Sequence, residues 1–193
     1  MRIKPSICIK LISYAWLFIF KIDYEHRNIP VYIIYNKIKG GEGMDIRTGA
    51  GGVAGRLSNL THRRFLFDGI ECGSIEGALQ SFKFKDPNMQ AEICKLGGMK
   101  AKRSGSSKNW RQKQVLYWKG NEIKRDSQEY QKLLDLLYQS AFDQCEKYRK
   151  DILSCVGATF THSIGKRKVQ DTVLTTQEFT SRLKKLRDGQ RLV

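Results

Sequence analysis

Over most of the chain the apolar positions recur with a helical period. From Ser74 to about Lys85, Ile75, Ala78, Leu79 and Phe82 fall at i, i+3, i+4 and i+7, which predicts an amphipathic helix capped by Ser74. Asp86-Pro87 ends it and opens a second helix through Met89, Ile93 and Leu96, fading at Gly97-Gly98. Trp110 to Trp118 reads as helical. Asp126 with Glu129 has capping-box spacing and starts a long helix that buries Tyr130, Leu133, Leu134, Leu137, Tyr138, Ala141 and Phe142. A shorter segment runs from Cys145 to Cys155. Thr175 with Glu178 opens a last helix through Phe179, Leu183 and Leu186, stopping near Gly189. Two short strands flank an Asp68-Gly69 turn between Phe65 and Cys72. Met99 to Asn109 is basic and reads as a loop. Internal repeats and low-complexity tracts are absent from the sequence. The fold class expected is α+β, a mostly helical single domain with a few short strands.

The stretch before Met44 has a different pattern. Leu11 to Phe20 is a mostly apolar run between Lys10 and Lys21, too short for a comfortable membrane span. It has the flanks of a signal-peptide core but no small-residue cleavage site after it. It could also pair as a buried strand with Val31 to Tyr35. A different reading fits better: Lys39-Gly40-Gly41-Glu42-Gly43 uses residues whose purine-rich codons can spell a bacterial ribosome-binding site. The expectation is that 1–43 is a leader-like segment with natural translation starting at Met44. Residues 44–56 then form a Gly-rich N-terminal loop, and 57–190 the domain proper. Thr48 to Gly55 superficially resembles a dinucleotide-binding turn, but no apolar strand precedes it and the glycine spacing is wrong.

Charge narrows the partners. Lys and Arg total 35 against 19 Asp and Glu, a net +16, which favours phosphate-bearing ligands. Without the first 43 residues the balance is 28 against 16, so the excess belongs to the domain. The five cysteines, Cys8, Cys72, Cys94, Cys145 and Cys155, show no metal spacing and read as free thiols in a reducing cytoplasm.

The helix from Ser74 carries the candidate chemistry. Glu76, Gln80 and Lys83 at i, i+4 and i+7 form one stripe beside the apolar one. Such a helix can bury its apolar face and direct a carboxylate, an amide and an amine into one cleft. On spacing alone, an ordinary polar face in water is the default.

The surrounding motifs shift that balance. Leu57-Ser58-Asn59-Leu60, then Asp68-Gly69, then Ser74-Ile75-Glu76-Gly77-Ala78-Leu79-Gln80-Ser81-Phe82-Lys83-Phe84 resembles the NADAR (YbiA-like) signature "(F/L)SNF…DG…(S/T)xEHxxQAxK(F/A)". Gly98-Met99-Lys100-Ala101-Lys102 with Asn109-Trp110 resembles the family's "GxxAKxxG…W" segment, and the helix ending in Ala141-Phe142 its "L…KF" helix. Two departures stand out. Gly77 replaces the usual His after the Glu. The C-terminal "WG(D/T)G…GxNxLG" run is replaced by His162-Ser163-Ile164-Gly165 and Asp171-Thr172-Val173-Leu174-Thr175, with Asp171 in its acidic position. These mark a divergent branch, of the kind tailed phages carry.

The resemblance implies an N-glycosidase that hydrolyses the bond between ribose (as ADP-ribose or ribose phosphate) and a nitrogen base. The substrate would be ADP-ribosyl-guanine, free or within nucleic acid, or a ribosylaminopyrimidine of riboflavin biosynthesis. Glu76 and Lys83 would be the catalytic pair. Asn59, Gln80, Lys102, Arg103, Trp110 and Asp171 would bind substrate. Neither metal nor cofactor is expected, nor stable membrane association, and the setting would be cytoplasmic (the host cytoplasm if phage-encoded). The basic run Lys100, Lys102, Arg103, Lys108 and Arg111 suits a pyrophosphate or nucleic-acid backbone. Trp118 reads as core, and His62 and His162 as ordinary surface or core histidines. Two alternatives remain: a non-catalytic sensor of NAD-derived or ADP-ribose ligands, and a basic nucleic-acid-binding protein.

Overall fold

The computed structural model describes residues 43–105 and 109–193. The expected leader up to Glu42, its apolar run, Cys8 and Lys108 lie outside the described residues. Eight helices, one 3-10 turn and three two-stranded pairings make up the rest, in keeping with the α+β expectation.

The chain enters through β1 (Gly43–Asp45), which pairs in parallel with a late strand, β6 (Thr159–Thr161). The Gly-rich 44–56 segment is therefore not all loop. After a turn at Thr48–Gly49 it forms α1 (Gly52–Arg56), which the bidentate Arg56–Asp151 ion pair, 2.9 and 2.6 Å, ties to α7 (Glu146–Ser154). β2 (Phe65–Phe67) and β3 (Ile70–Cys72) form the predicted hairpin. Asp68 and Gly69 both have positive φ (47° and 80°), the geometry a tight two-residue turn requires.

α2 (Ile75–Ser81) starts where predicted, with the Ser74 hydroxyl accepting from the Gly77 N–H, but it ends at Phe82 rather than near Lys85. Asp86 caps α3 (Pro87–Cys94) by accepting from the Asn88 N–H, with Pro87 at the first turn. The supposed loop after Gly97 is instead a helix, α4 (Gly98–Ser104). Trp110 to Trp118 is not one helix. A single turn, α5 (Trp110–Lys113), ends at Gln114 in a left-handed conformation, and a hairpin of β4 (Val115–Trp118) and β5 (Asn121–Lys124) follows. Leu116 and Trp118 are buried while their neighbours are half-exposed, a period of two.

The long helix α6 (Gln128–Gln144) is capped by Ser127, not Asp126: the Ser127 hydroxyl accepts from the Tyr130 N–H. Tyr130, Leu134, Leu137, Tyr138 and Ala141 are buried as expected, with Leu133 and Phe142 packed at the margin. α8 (Thr176–Arg187) begins with the predicted capping box, Thr175 and Glu178 satisfying each other's backbone N–H groups.

An aromatic cluster fills the centre. Phe67 lies 4.7 Å from Trp118, and Phe82 lies edge-on to Trp118 at 5.4 Å and to Tyr130 at 5.8 Å. The polar tip of Trp118 is satisfied, its indole N–H donating to Asp68 at 2.8 Å. α2 thus sits with one face in this cluster and its other face free for chemistry.

Candidate active site

The polar stripe of α2 faces a cavity of about 340 Å³ rather than bulk water. Glu76, Gln80 and Lys83 all line it, and they are wired to one another. The Gln80 amide donates to Glu76 Oε1 at 2.8 Å, and the Lys83 ammonium donates to Gln80 Oε1 at 2.6 Å. Gln80 occupies one carboxylate oxygen, so Glu76 Oε2 is the one available to a ligand. Lys83 also donates to the Gly105 carbonyl at 3.2 Å. Burial pushes the Lys83 ammonium down to about 8; Glu76 opposes that shift and Arg111 adds to it.

Gly105 is part of this arrangement and escaped notice in the sequence. A Cβ there would strike the Gln80 amide oxygen and come within 2.9 Å of Lys83 Cδ. The signal was present, because Gly105 falls on the second glycine of the "GxxAKxxG" segment.

Other elements complete the cavity. Asn59 lines it from the turn after α1. Its side-chain oxygen accepts from the Tyr138 hydroxyl at 3.0 Å, so its amide N–H₂ is the end left for a ligand. Trp110, 7% exposed, and Phe179 supply aromatic surface. Lys102 of α4, Arg111 of α5 and Lys166 bring exposed cations to the lining, and the exposed Asp171 contributes a carboxylate from the 3-10 turn Val169–Asp171.

Seven of the eight residues expected at the site therefore share one cavity: Glu76, Lys83, Asn59, Gln80, Lys102, Trp110 and Asp171. The eighth, Arg103, is exposed on α4 and does not line it, since its neighbour Lys102 takes the inward side of that short helix. Trp118 is core, as expected. His162, set aside in the sequence, does line the cavity. Among the described residues no group of three or more His, Cys, Asp or Glu could hold a metal ion, and no helix is long and apolar enough to cross a membrane. Cys72, Cys94, Cys145 and Cys155 are free thiols.

Comparison with known proteins bears on the family and the fold. A family model described as Bacteriophage protein GP30.3 matches residues 51–188. A 17.1 kDa protein from the Gp30-rIII intergenic region of Enterobacteria phage T4 is 34% identical over 135 residues, covering 69% of this chain and 89% of that protein. Among solved structures, the NMR structure of E. coli YbiA superposes with a TM-score of 0.50 at 18% identity, over 70% of this chain and 77% of that one, a likeness of fold. With more than two thirds of its length matched, the chain belongs to the bacteriophage GP30.3 family and has the YbiA-like fold that its NADAR resemblance implies.

Proposed function

We propose that this protein is an N-glycosidase that hydrolyses the bond between a ribose and a nitrogen base. The observation that carries the reading is the Glu76–Gln80–Lys83 relay on the wall of a cavity of about 340 Å³, a volume that suits a small ligand. Breaking a glycosidic bond leaves oxocarbenium character on the anomeric carbon, and a fixed carboxylate stabilises it. Glu76 fills that role and takes the proton of the attacking water. Gln80 holds the carboxylate in place through Oε1. Lys83, titrating at about 8, is mostly the cation at neutral pH and suits the standing negative charge of the substrate's phosphate. The Asn59 amide suits a ribose oxygen, and Trp110 with Phe179 suits a flat base. Lys102, Arg111 and Lys166 suit a phosphate or pyrophosphate. The depressed lysine also supports a second route, in which its neutral fraction attacks the opened sugar as an amine.

The test is base release followed by mass spectrometry, on ADP-ribosylated-guanine DNA and separately on a ribosylaminopyrimidine phosphate. Wild-type protein should release the sugar from one of them. Glu76→Gln should lose roughly 10³-fold or more in rate while melting like wild type. A wild-type protein inert on both substrates, or a Glu76→Gln variant with full activity, sinks the assignment. Borohydride trapping of a sugar on Lys83 would favour the amine route.

A further inference from the structure

We propose that His162 is the proton donor to the departing base, an assignment that rests on the glycosidase reading and extends it to the other side of the bond being cut. His162 is half-buried and reaches the cavity from the loop after β6, a different wall from the one that carries Glu76. Its Nδ1 is hydrogen-bonded to the Ile46 carbonyl. A carbonyl can only accept, so Nδ1 carries its proton in both the neutral and the charged ring, and Nε2 is the nitrogen that gains and loses one. Phe179 packs edge-on against the imidazole at 5.3 Å and fixes its plane.

Gly165 is the second observation. It also lines the cavity, and a Cβ on it would collide with both His162 Cδ2 and Thr176 Oγ1 and lie 3.2 Å from His162 Nε2. Its φ is not in the left-handed region, so the backbone does not require glycine there; the space does. Any larger residue would cover the Cδ2–Nε2 edge of the ring. The loop is held in this shape by the Gly165 N–H donating to the His162 carbonyl at 3.1 Å and the Thr176 N–H donating to the Lys166 carbonyl at 2.9 Å.

The step balances as follows. A water oxygen bonds to the anomeric carbon while Glu76 accepts its proton. The carbon–nitrogen bond breaks, its electron pair goes to the base nitrogen, and that nitrogen takes the proton from His162 Nε2. Solvent then reprotonates the imidazole and takes the proton from Glu76, so the sum is the addition of one water. The segment that holds the imidazole carries Asp45 and Arg47, paired with each other, and Asp45 is also engaged by Ser163. Phe179 of α8 brings no charge. Lys166 lies in the same loop, and Glu76, Lys83, Lys102, Arg111 and Asp171 share the cavity.

His162→Asn tests this, because the asparagine amide can keep the bond to Ile46 while the titrating nitrogen disappears. On ADP-ribosylated-guanine DNA, kcat should fall on the order of 100-fold with KM little changed. The limb of the pH profile that requires a protonated imidazole should vanish. An active wild type alongside a variant with unchanged kcat and pH profile overturns the His162 role and leaves the glycosidase reading standing. No base release by the wild type fails that reading instead, and the nitrogen-15 spectrum of the wild-type histidines then decides on the geometry. Neutral His162 protonated at Nδ1 supports the ring's anchoring to Ile46; neutral His162 protonated at Nε2 overturns that anchoring and the assignment with it.

Discussion

Gly77 stands where NADAR proteins usually have His, and the structure gives that departure a mechanical reason. α2 lies so close to the end of α3 that a Cβ on Gly77 would sit 2.6, 2.7 and 2.9 Å from the carbonyl oxygens of Cys94, Leu96 and Ile93. All three are backbone atoms, which cannot swing aside as a side-chain tip can. In Gly77→Ala the helix has to lift away. That strains two bonds made at the same junction, the Gly73 N–H to the Cys94 carbonyl at 2.8 Å and the Ser74 hydroxyl to the Leu96 carbonyl at 2.7 Å. Alanine is the better helix former by about 1 kcal/mol, which opposes the loss. Overpacking costs about 1–3 kcal/mol and each weakened buried bond about 1 kcal/mol. The net expectation is a destabilisation of about 2–4 kcal/mol, or a melting temperature lower by about 5–15 °C for a domain of this size. Because the same helix carries Glu76, Gln80 and Lys83, turnover should fall with it. Gly55→Ala is the control: its added methyl would have nothing nearer than Ala50 at 3.9 Å, and it should gain about 0.5–1 kcal/mol. Thermal melts of both variants decide the matter. A Gly77→Ala protein that melts with wild type refutes the claim that close helix approach selected glycine.

Other expectations follow from the charges. If Lys83 acts as a cation, its contribution is present below about pH 8 and lost as the pH rises through that value, so kcat/KM should fall across it. Lys83→Arg keeps its charge and should flatten that limb; a rate that rises through pH 8 would instead indicate the neutral amine. Arg125 is fully buried and bidentate to Glu178 at 3.0 and 2.6 Å, so Arg125→Met should destabilise by about 3–5 kcal/mol in urea melts. Burial works to raise the Glu178 carboxyl, but Arg125, the Thr175 N–H and Gln131 together hold it at about 2. Its stabilising contribution is therefore present above about pH 4.5 and lost as the pH falls toward 2. It should amount to about 2 kcal/mol after allowance for partial solvent access, and the Arg125→Met melts should not show that slope.

What could be read from the chain depended on whether local pattern and tertiary role agreed. α2 was legible because its apolar period, its Ser74 cap and its polar stripe all describe the same helix. α4 was not, because Ala101 is its only buried residue and one small side chain sets no period. Val115 to Trp118 looked helical beside Trp110 because the alternation of burial shows only once the hairpin is formed. Its turn, Lys119-Gly120, lacks the Asn or Asp that usually announces one; Lys119 takes positive φ (49°) and is held by Asp68 at 2.8 Å. Asp126 and Ser127 can both cap a helix, and Ser127 prevails with Tyr130 at its third position, fully buried in the aromatic cluster. Arg125 gave no sign of burial, since a lone arginine ordinarily reads as surface.

The two sides of the cavity differ in how they are fastened, and this bears on where the family diverges. The α2 side uses side chains to hold side chains: Lys83 holds Gln80, Gln80 holds Glu76, and Gly105 must stay bare to admit them. A substitution at any of these breaks the relay, so the motif is constrained residue by residue. Apart from the His162 and Ser163 side chains, which bond to Ile46 and Asp45, the 162–174 side is fastened through its backbone. Arg125 donates to the Thr172 carbonyl at 2.7 Å, the Tyr130 hydroxyl to the Val173 carbonyl at 2.7 Å, and the Thr176 N–H to the Lys166 carbonyl at 2.9 Å. Those anchors take hold of main-chain oxygens, which every residue type supplies. Beyond Gly165 the wall can therefore change its side chains without coming loose from the core. A site built this way keeps Glu76 fixed while the facing wall beyond Gly165 can change, so under the proposed glycosidase reading that wall is where substrate choice would differ.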